Sequence, residues 1–268
     1  MDLDNLIQEN RFTIAFIFPL IGAITLLGSY EGVLPNFLSY NALVILFGVL
    51  VMRMPLIAGL KPLIDRRAGI GLTALIGYSY LIEYIGVETG FPYGSFSYGI
   101  DLGPMMFGKI PLALPVFFIP LVINAYLLVM LLLPERAKEI YIRVPTVIGA
   151  VLFLDLILDP AAVTINFWNY SSGIYYGVPI SNYLGWIISA SISVIVLDLT
   201  INRDKLIQRL ESCEFMLDDM VSFSLLWGFV NLYFRQYLPF ILSLMLIYGL
   251  IKIDRFDFAS PKKLQLVR

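Results

Sequence analysis

The sequence predicts an all-α fold, a polytopic integral membrane helix bundle of about eight transmembrane helices, with seven as the alternative count. Three observations carry this reading. Only 14% of the 268 residues are charged, against roughly 25% in soluble domains, and the mean hydropathy is +0.84. The apolar residues fall in runs of roughly 17–25, the length that crosses about 30 Å of hydrocarbon as a helix. The basic residues concentrate in alternate connections between those runs.

The expected spans are 12–29, 37–59, 68–87, 111–133, 144–165, 180–201, 219–235 and 237–252. The last two are short. They read either as one long broken helix or as a re-entrant pair, with the break at Phe234-Arg235-Gln236-Tyr237 before Pro239. Lys61, Arg66 and Arg67 follow the second span; Arg136, Lys138 and Arg143 follow the fourth; Arg203, Lys205 and Arg209 follow the sixth. The tail carries Lys252, Arg255, Lys262, Lys263 and Arg268. The intervening connections hold almost no basic residue beyond Lys109. Eight spans put every basic segment on the cytoplasmic side, whereas seven would put the tail on the wrong side. The expectation is therefore a multi-pass cell-membrane protein with both termini inside. Residues 1–10 are acidic and no small-residue cleavage site follows the first apolar run, so no cleaved leader is expected.

Composition excludes several kinds of chemistry. Histidine is absent, which argues against His-clustered di-iron sites, haem oxidases and most zinc enzymes. Cys213 is the single cysteine, so an intramolecular disulfide and Cys-based metal clusters are ruled out. A net charge of −2 without a basic stripe leaves no footprint for nucleic acid. What remains is chemistry run on carboxylates, hydroxyls, amides, aromatic rings and backbone, with a hard cation such as Mg²⁺ still allowed.

The whole chain, 1–268, reads as one transmembrane domain, within which the hairpins 68–133 and 144–201 form a weak repeat. In the first, Glu83 and Glu88 end a span, an aromatic and glycine-rich segment follows, and Gly108-Lys109-Ile110-Pro111 opens the next helix. In the second, Asp155 and Asp159 end a span, a similar segment follows, and Gly177-Val178-Pro179 opens the next helix. The two aromatic segments, 88–110 and 166–179, fall on the same outer face. Such segments suit the membrane interface or a lid over an apolar pocket, and the two hairpins are expected to pack around one site.

An ionisable group at the centre of a span costs about 2.5–3.5 kcal/mol on insertion scales, so it needs a reason. Asp155 and Asp159 stand four apart, on one helix face. Two close anions in low dielectric cannot both ionise cheaply, so such a pair holds a proton that it can donate. The plainer alternative is a helix-end pair in interfacial water, or a partner for Arg53, which is itself expected to neutralise a carboxylate or snorkel. Glu83 either belongs to the same site or holds helices together through a tyrosine. Glu88 either belongs to it or caps the loop. Asp101 reads as a turn residue. Asn124, Asn182 and Asn231 read as interhelical hydrogen-bonding groups, and Asn182 stands out because it follows the second aromatic segment. Trp168 and Trp186 read as belt residues that, beside an acid pair, steady a carbocation through the ring face. An apolar pocket with carboxylates and aromatic rings suits acid chemistry on an unsaturated lipid. A neutral carboxyl protonates a C=C bond, and water, cyclisation or proton loss ends the reaction.

The blocks Glu83-Tyr84-Ile85-Gly86-Val87-Glu88-Thr89-Gly90-Phe91-Pro92-Tyr93-Gly94, Tyr98, Leu102-Gly103-Pro104 and Gly108-Lys109-Ile110-Pro111 resemble the carotenoid hydratases of the bacterioruberin pathway. So do Asp155-(x)3-Asp159-Pro160, Trp168, Gly173-Ile174-Tyr175-Tyr176-Gly177-Val178-Pro179 and Asn182-Tyr183-Leu184-Gly185-Trp186. The match covers about residues 75–190. The resemblance implies hydration of the terminal C=C of a linear C50 or related ψ-end carotenoid, without cofactor or metal. It makes Asp155 and Asp159 the expected acid pair, with Glu83 or Glu88 holding the water. Tyr93, Tyr98, Trp168, Tyr176, Asn182 and Trp186 are the expected substrate contacts. The expected partners are a lipid-soluble polyene, membrane lipid and other membrane enzymes of the carotenoid pathway. The competing readings are an intramembrane lycopene cyclase, a Mg²⁺-dependent prenyltransferase, which would need a second Asp-rich motif that is missing, and a proton-coupled transporter.

Overall fold

The computed structural model describes residues 3–253 and 255–256; the tail cations Lys262, Lys263 and Arg268 lie outside the described residues. The long helices are α1 (Leu3–Tyr30), α2 (Ala42–Leu60), α3 (Arg66–Thr89), α4 (Leu114–Leu132), α5 (Ile140–Thr164) and α6 (Ile180–Thr200). The short helix α7 (Arg203–Ser212) precedes α8 (Asp218–Tyr233) and α9 (Tyr237–Lys252). Seven helical segments are long and apolar enough to cross a membrane, α8 counting from Glu214, and α9 is a shorter apolar helix of 16 residues.

Polar side chains set several of the ends. Asn41 caps α2 by accepting from the Leu43 and Val44 amides, and Asp65 caps α3 by accepting from the Ala68 amide at 2.9 Å. Gly90, with φ +76°, closes α3 in the left-handed conformation that only glycine adopts freely. Asp101 is the expected turn residue, accepting from the Gly103 amide at 2.8 Å.

Two boundaries differ from expectation. The first helix begins at Leu3 rather than near 12, because its polar first turns are held by ion pairs that a hydropathy reading does not register. Arg11 bonds both oxygens of Asp218, at 2.8 and 2.9 Å, and Arg209 bonds Asp4 at 2.6 Å. Pro111 does not open a helix. It lies in a short strand, and Pro115 takes the first turn of α4 instead. Arg143 likewise is no loop cation. It is buried in α5, where its guanidinium grips Asp198 of α6, which also accepts from Tyr126 of α4 at 2.7 Å. Removing one partner of such a buried pair costs about 3–5 kcal/mol.

The break at Phe234–Gln236 is a tight turn with Arg235 at φ +58°, so α8 and α9 form an antiparallel hairpin. At its start Gln236 donates to the Pro160 carbonyl, beside the aromatic segments. Beyond its end Arg255 donates to the Leu210 carbonyl at 2.5 Å, and Arg11 donates to the Arg255 carbonyl. The helix therefore runs from one end of the bundle to the other in about 24 Å at 1.5 Å per residue. With seven helical segments long enough to span and this shorter helix returning the chain, the bundle holds, among the described residues, eight apolar helical passages of which α9 is the shortest. The near ends of α1 and α9 share a face with the basic connections 61–65, 133–139 and 201–213.

On the opposite face the two aromatic segments pair with each other. Strand β1 (Phe96–Tyr98) runs antiparallel to β4 (Trp168–Tyr170), joining Phe96 to Tyr170 and Tyr98 to Trp168. Strands β2 (Met105–Met106) and β3 (Ile110–Pro111) form a second small ribbon. Alternate residues of a strand share a face, so Phe96, Tyr98, Trp168 and Tyr170 form one aromatic surface that closes over the helices.

Candidate active site

Proline 160 organises the local structure of α5. Lacking an amide proton, it leaves the Leu156 carbonyl without its helical donor, and the Tyr175 hydroxyl donates to that carbonyl at 3.2 Å. Asn231 of α8 donates to the next carbonyl, Ile157, at 2.9 Å. The second aromatic segment and α8 are thus fastened to the turn of α5 that carries Asp155 and Asp159.

Both aspartates are buried, with 0% and 3% exposure. The Asn182 side chain at the start of α6 joins them, its amide nitrogen donating to Asp155 Oδ2 at 2.8 Å and to Asp159 Oδ2. The Asn182 oxygen accepts from the Tyr170 hydroxyl at 2.9 Å. Both N–H groups and the carbonyl of the amide are therefore used, which fixes its orientation. The indoles of Trp168 and Trp186 lie beside Asp159 and Asp155 respectively, and the Trp168 N–H is buried without a hydrogen-bond partner. Asp155 Oδ1 is buried and unbonded.

Glu83 faces this group from α3. It is 8% exposed and accepts from the Tyr98 hydroxyl of β1. Burial first, and the neighbouring Glu83 second, hold the Tyr98 phenol well above the ordinary tyrosine range, so it remains a donor. Burial and then Asp159 do the same for Tyr170. The Tyr93 ring inserts between α3 and α6, where Gly86 and Gly185 leave room. A Cβ at Gly185 would lie 2.3 Å from that ring. Its hydroxyl bonds Ser189 at 2.6 Å.

These residues enclose a cavity of about 100 Å³ lined by Glu83, Asp159, Asn182, Tyr93, Tyr98, Tyr170, Trp168 and Trp186, with aliphatic and phenylalanine side chains from α4 and α5. The expected acids and aromatics thus meet in one place, with three exceptions. Asp155 stands behind Asn182 rather than in the wall. Glu88 lies near the surface, paired with Lys109 across the loop. Tyr176 is 40% exposed and packs edge-on against Tyr175, outside the cavity. Arg53 does not pair with the α5 aspartates, since it bonds Asp219 at 2.5 Å, which also accepts from Asn124. Among the described residues no group of three or more His, Cys, Asp or Glu side chains could hold a metal ion.

Tyr170, Phe96, Phe117 and Phe118 line the cavity without having been singled out in the sequence. For the first two a signal was present. Phe96-Ser97-Tyr98 and Trp168-Asn169-Tyr170 alternate aromatic and polar residues with period two, the pattern of a strand with one covered face.

Fold and site together define a polytopic membrane protein with a buried carboxylate centre in an apolar, aromatic-walled cavity. Residues 40–250 match the family model described as "Carotenoid biosynthesis protein". The chain is 54% identical over 255 residues to the bisanhydrobacterioruberin hydratase of Haloarcula japonica, covering 95% of this chain and 87% of that protein. The chain belongs to the carotenoid biosynthesis protein family. No solved structure matches it.

Proposed function

We propose that this chain is a carotenoid hydratase, a hydro-lyase that adds water across the terminal C=C of a linear C50 or related ψ-end carotenoid. The observation that carries the reading is the presence of two carboxyl groups, Asp159 and Glu83, in the wall of one cavity that is apolar and aromatic apart from these and the Asn182 amide. The 54% identity to the Haloarcula japonica hydratase supports the same substrate class.

The chemistry balances with water alone. Asp159, in its protonated form, gives its proton to the less substituted carbon of the terminal double bond, and a tertiary cation forms on the neighbouring carbon. The ring faces of Trp168, Trp186 and Tyr98 steady that cation. Water held by Glu83 and Tyr98 attacks it, forming the C–O bond. Glu83 accepts the proton lost from the attacking water, and proton exchange returns the acid to Asp159. Asn182, itself in the cavity wall, and Asp155 behind it set the position and charge of Asp159. The Glu83–Tyr98 pair supplies a polar spot in the cavity wall, which favours capture by water over cyclisation. No redox group or metal enters this balance, and we assign no cofactor. Glu88, bound to Lys109 at the surface, takes no part.

The basic connections support an orientation with both termini on the cytoplasmic side of the cell membrane. The carboxylate cavity then lies toward the outer leaflet. Its partners are the polyene substrate, the surrounding lipid and the membrane enzymes that hand the substrate over.

The test is expression in a host that makes lycopene or an anhydro-C50 carotenoid, followed by mass spectrometry of the pigments. A gain of one or two waters is expected. A change in retention at constant mass would mean cyclisation, and unchanged pigment with well-folded protein would overturn the reading for those substrates.

A further inference from the structure

A linear carotenoid carries its reacting bond at the end of a long rod, and the rest of the rod must lie in hydrocarbon. A second cavity of about 290 Å³ sits beside the first, between α1, α2 and α8. Phe117, Leu121, Leu158, Phe167 and Trp168 line both cavities, so the two spaces meet at these side chains.

The remaining wall of the second cavity suits an apolar occupant. Its one charged residue, Arg53, is paired with Asp219 at 2.5 Å, the Thr25 hydroxyl is turned onto the Gly22 carbonyl at 3.0 Å, and the unpartnered polar atoms of the wall include the Ser39 hydroxyl and the Trp168 indole N–H, both buried. Along α2 the lining runs from Val44 to Arg53, a rise of about 14 Å. The cavity also reaches the outside of the bundle, because Ile21 on α1 and Phe47 on α2 line it while being 53% and 63% exposed. Between them Gly48 borders open space, since a Cβ there meets nothing within 4 Å.

We propose that the second cavity holds the polyene chain while the reacting end lies between Glu83 and Asp159, and that the substrate enters sideways from the bilayer between α1 and α2. The proposal rests on the carboxylate cavity being the hydration site. Gly48 keeps the passage open, and the five shared side chains form the neck through which the end group passes.

The experiment is to purify the full chain from a lycopene-producing host. Two readouts are taken: polyene absorbance retained per protein, and hydrated product by mass spectrometry. Gly48→Phe and Thr25→Phe fill the cavity from different helices. Leu43→Phe alters an exposed position of α2 outside the cavity and serves as the control. Both filling variants are expected to retain about tenfold less polyene or lower still, and to lose product in step, as overpacking of a built site does. The control should match wild type. If monodisperse Gly48→Phe and Thr25→Phe retain and hydrate as wild type does, the passage is wrong and the hydration reading stands. If wild type retains polyene that the filling variants lose, but hydrates none, the passage stands and the hydration reading fails. If wild type neither retains nor hydrates lycopene, both are overturned for that probe.

Discussion

Asp159→Asn is expected to lower hydration by about 10²–10⁴-fold, the usual contribution of a positioned general acid, while the variant still folds and still retains polyene. Asparagine keeps the size and the hydrogen bonding of the side chain but has no acidic proton to give. Asp155→Asn is expected to have a smaller effect, because Asp155 reaches the reaction only through Asn182 and does not line the cavity. Turnover per folded protein, measured for both variants in membranes, decides the order. An Asp155 variant more damaged than the Asp159 variant would reverse the assignment.

Asn182→Leu should lower turnover by about 10²–10⁴-fold, since each of its two hydrogen bonds to the carboxyl pair contributes about 1.5–3 kcal/mol and each 1.36 kcal/mol is a factor of ten in rate. The amide of Asn182 donates to both aspartates, and no other side chain bonds either of them at full hydrogen-bond geometry among the described residues. Its loss leaves two buried carboxyl groups competing for one proton without a fixed arrangement, so the pH profile should also shift. Tyr170→Phe removes only the group that orients the amide and should cost about tenfold or less. A merely structural role for Asn182 would lower the melting temperature and leave the profile of the surviving activity where it was. Wild-type turnover in Asn182→Leu would contradict the arrangement altogether.

The helices were legible because their signal is length and apolarity, which sequence carries directly. So were the acids, since Glu83, Asp155 and Asp159 are conspicuous where charge is rare. The choice between Glu83 and Glu88 was not, because it depends on Lys109 reaching back across the loop to Glu88. The division between Asp155 and Asp159 was hidden for the same kind of reason. Four residues apart they share a helix face, but only the position of Asn182 decides which of them meets the cavity. The ribbon of β1 and β4 was the largest omission. Each strand is three residues long, too short for a propensity argument, and its pairing joins segments about 70 positions apart. The start of α4 went astray because Pro111 and Pro115 both satisfy the rule for a first-turn proline, and only packing selects the second.

The central claim is that this cavity adds water by protonation of carbon followed by capture of a cation. The most direct measurement is isotopic. Membranes carrying the protein are given a linear carotenoid in water enriched in ¹⁸O and, separately, in D₂O. The account predicts one heavy oxygen in each new tertiary hydroxyl and one non-exchangeable deuterium on the adjacent carbon, both lost in Asp159→Asn. A hydroxyl whose oxygen does not come from water, or a product with no deuterium on carbon, would contradict it.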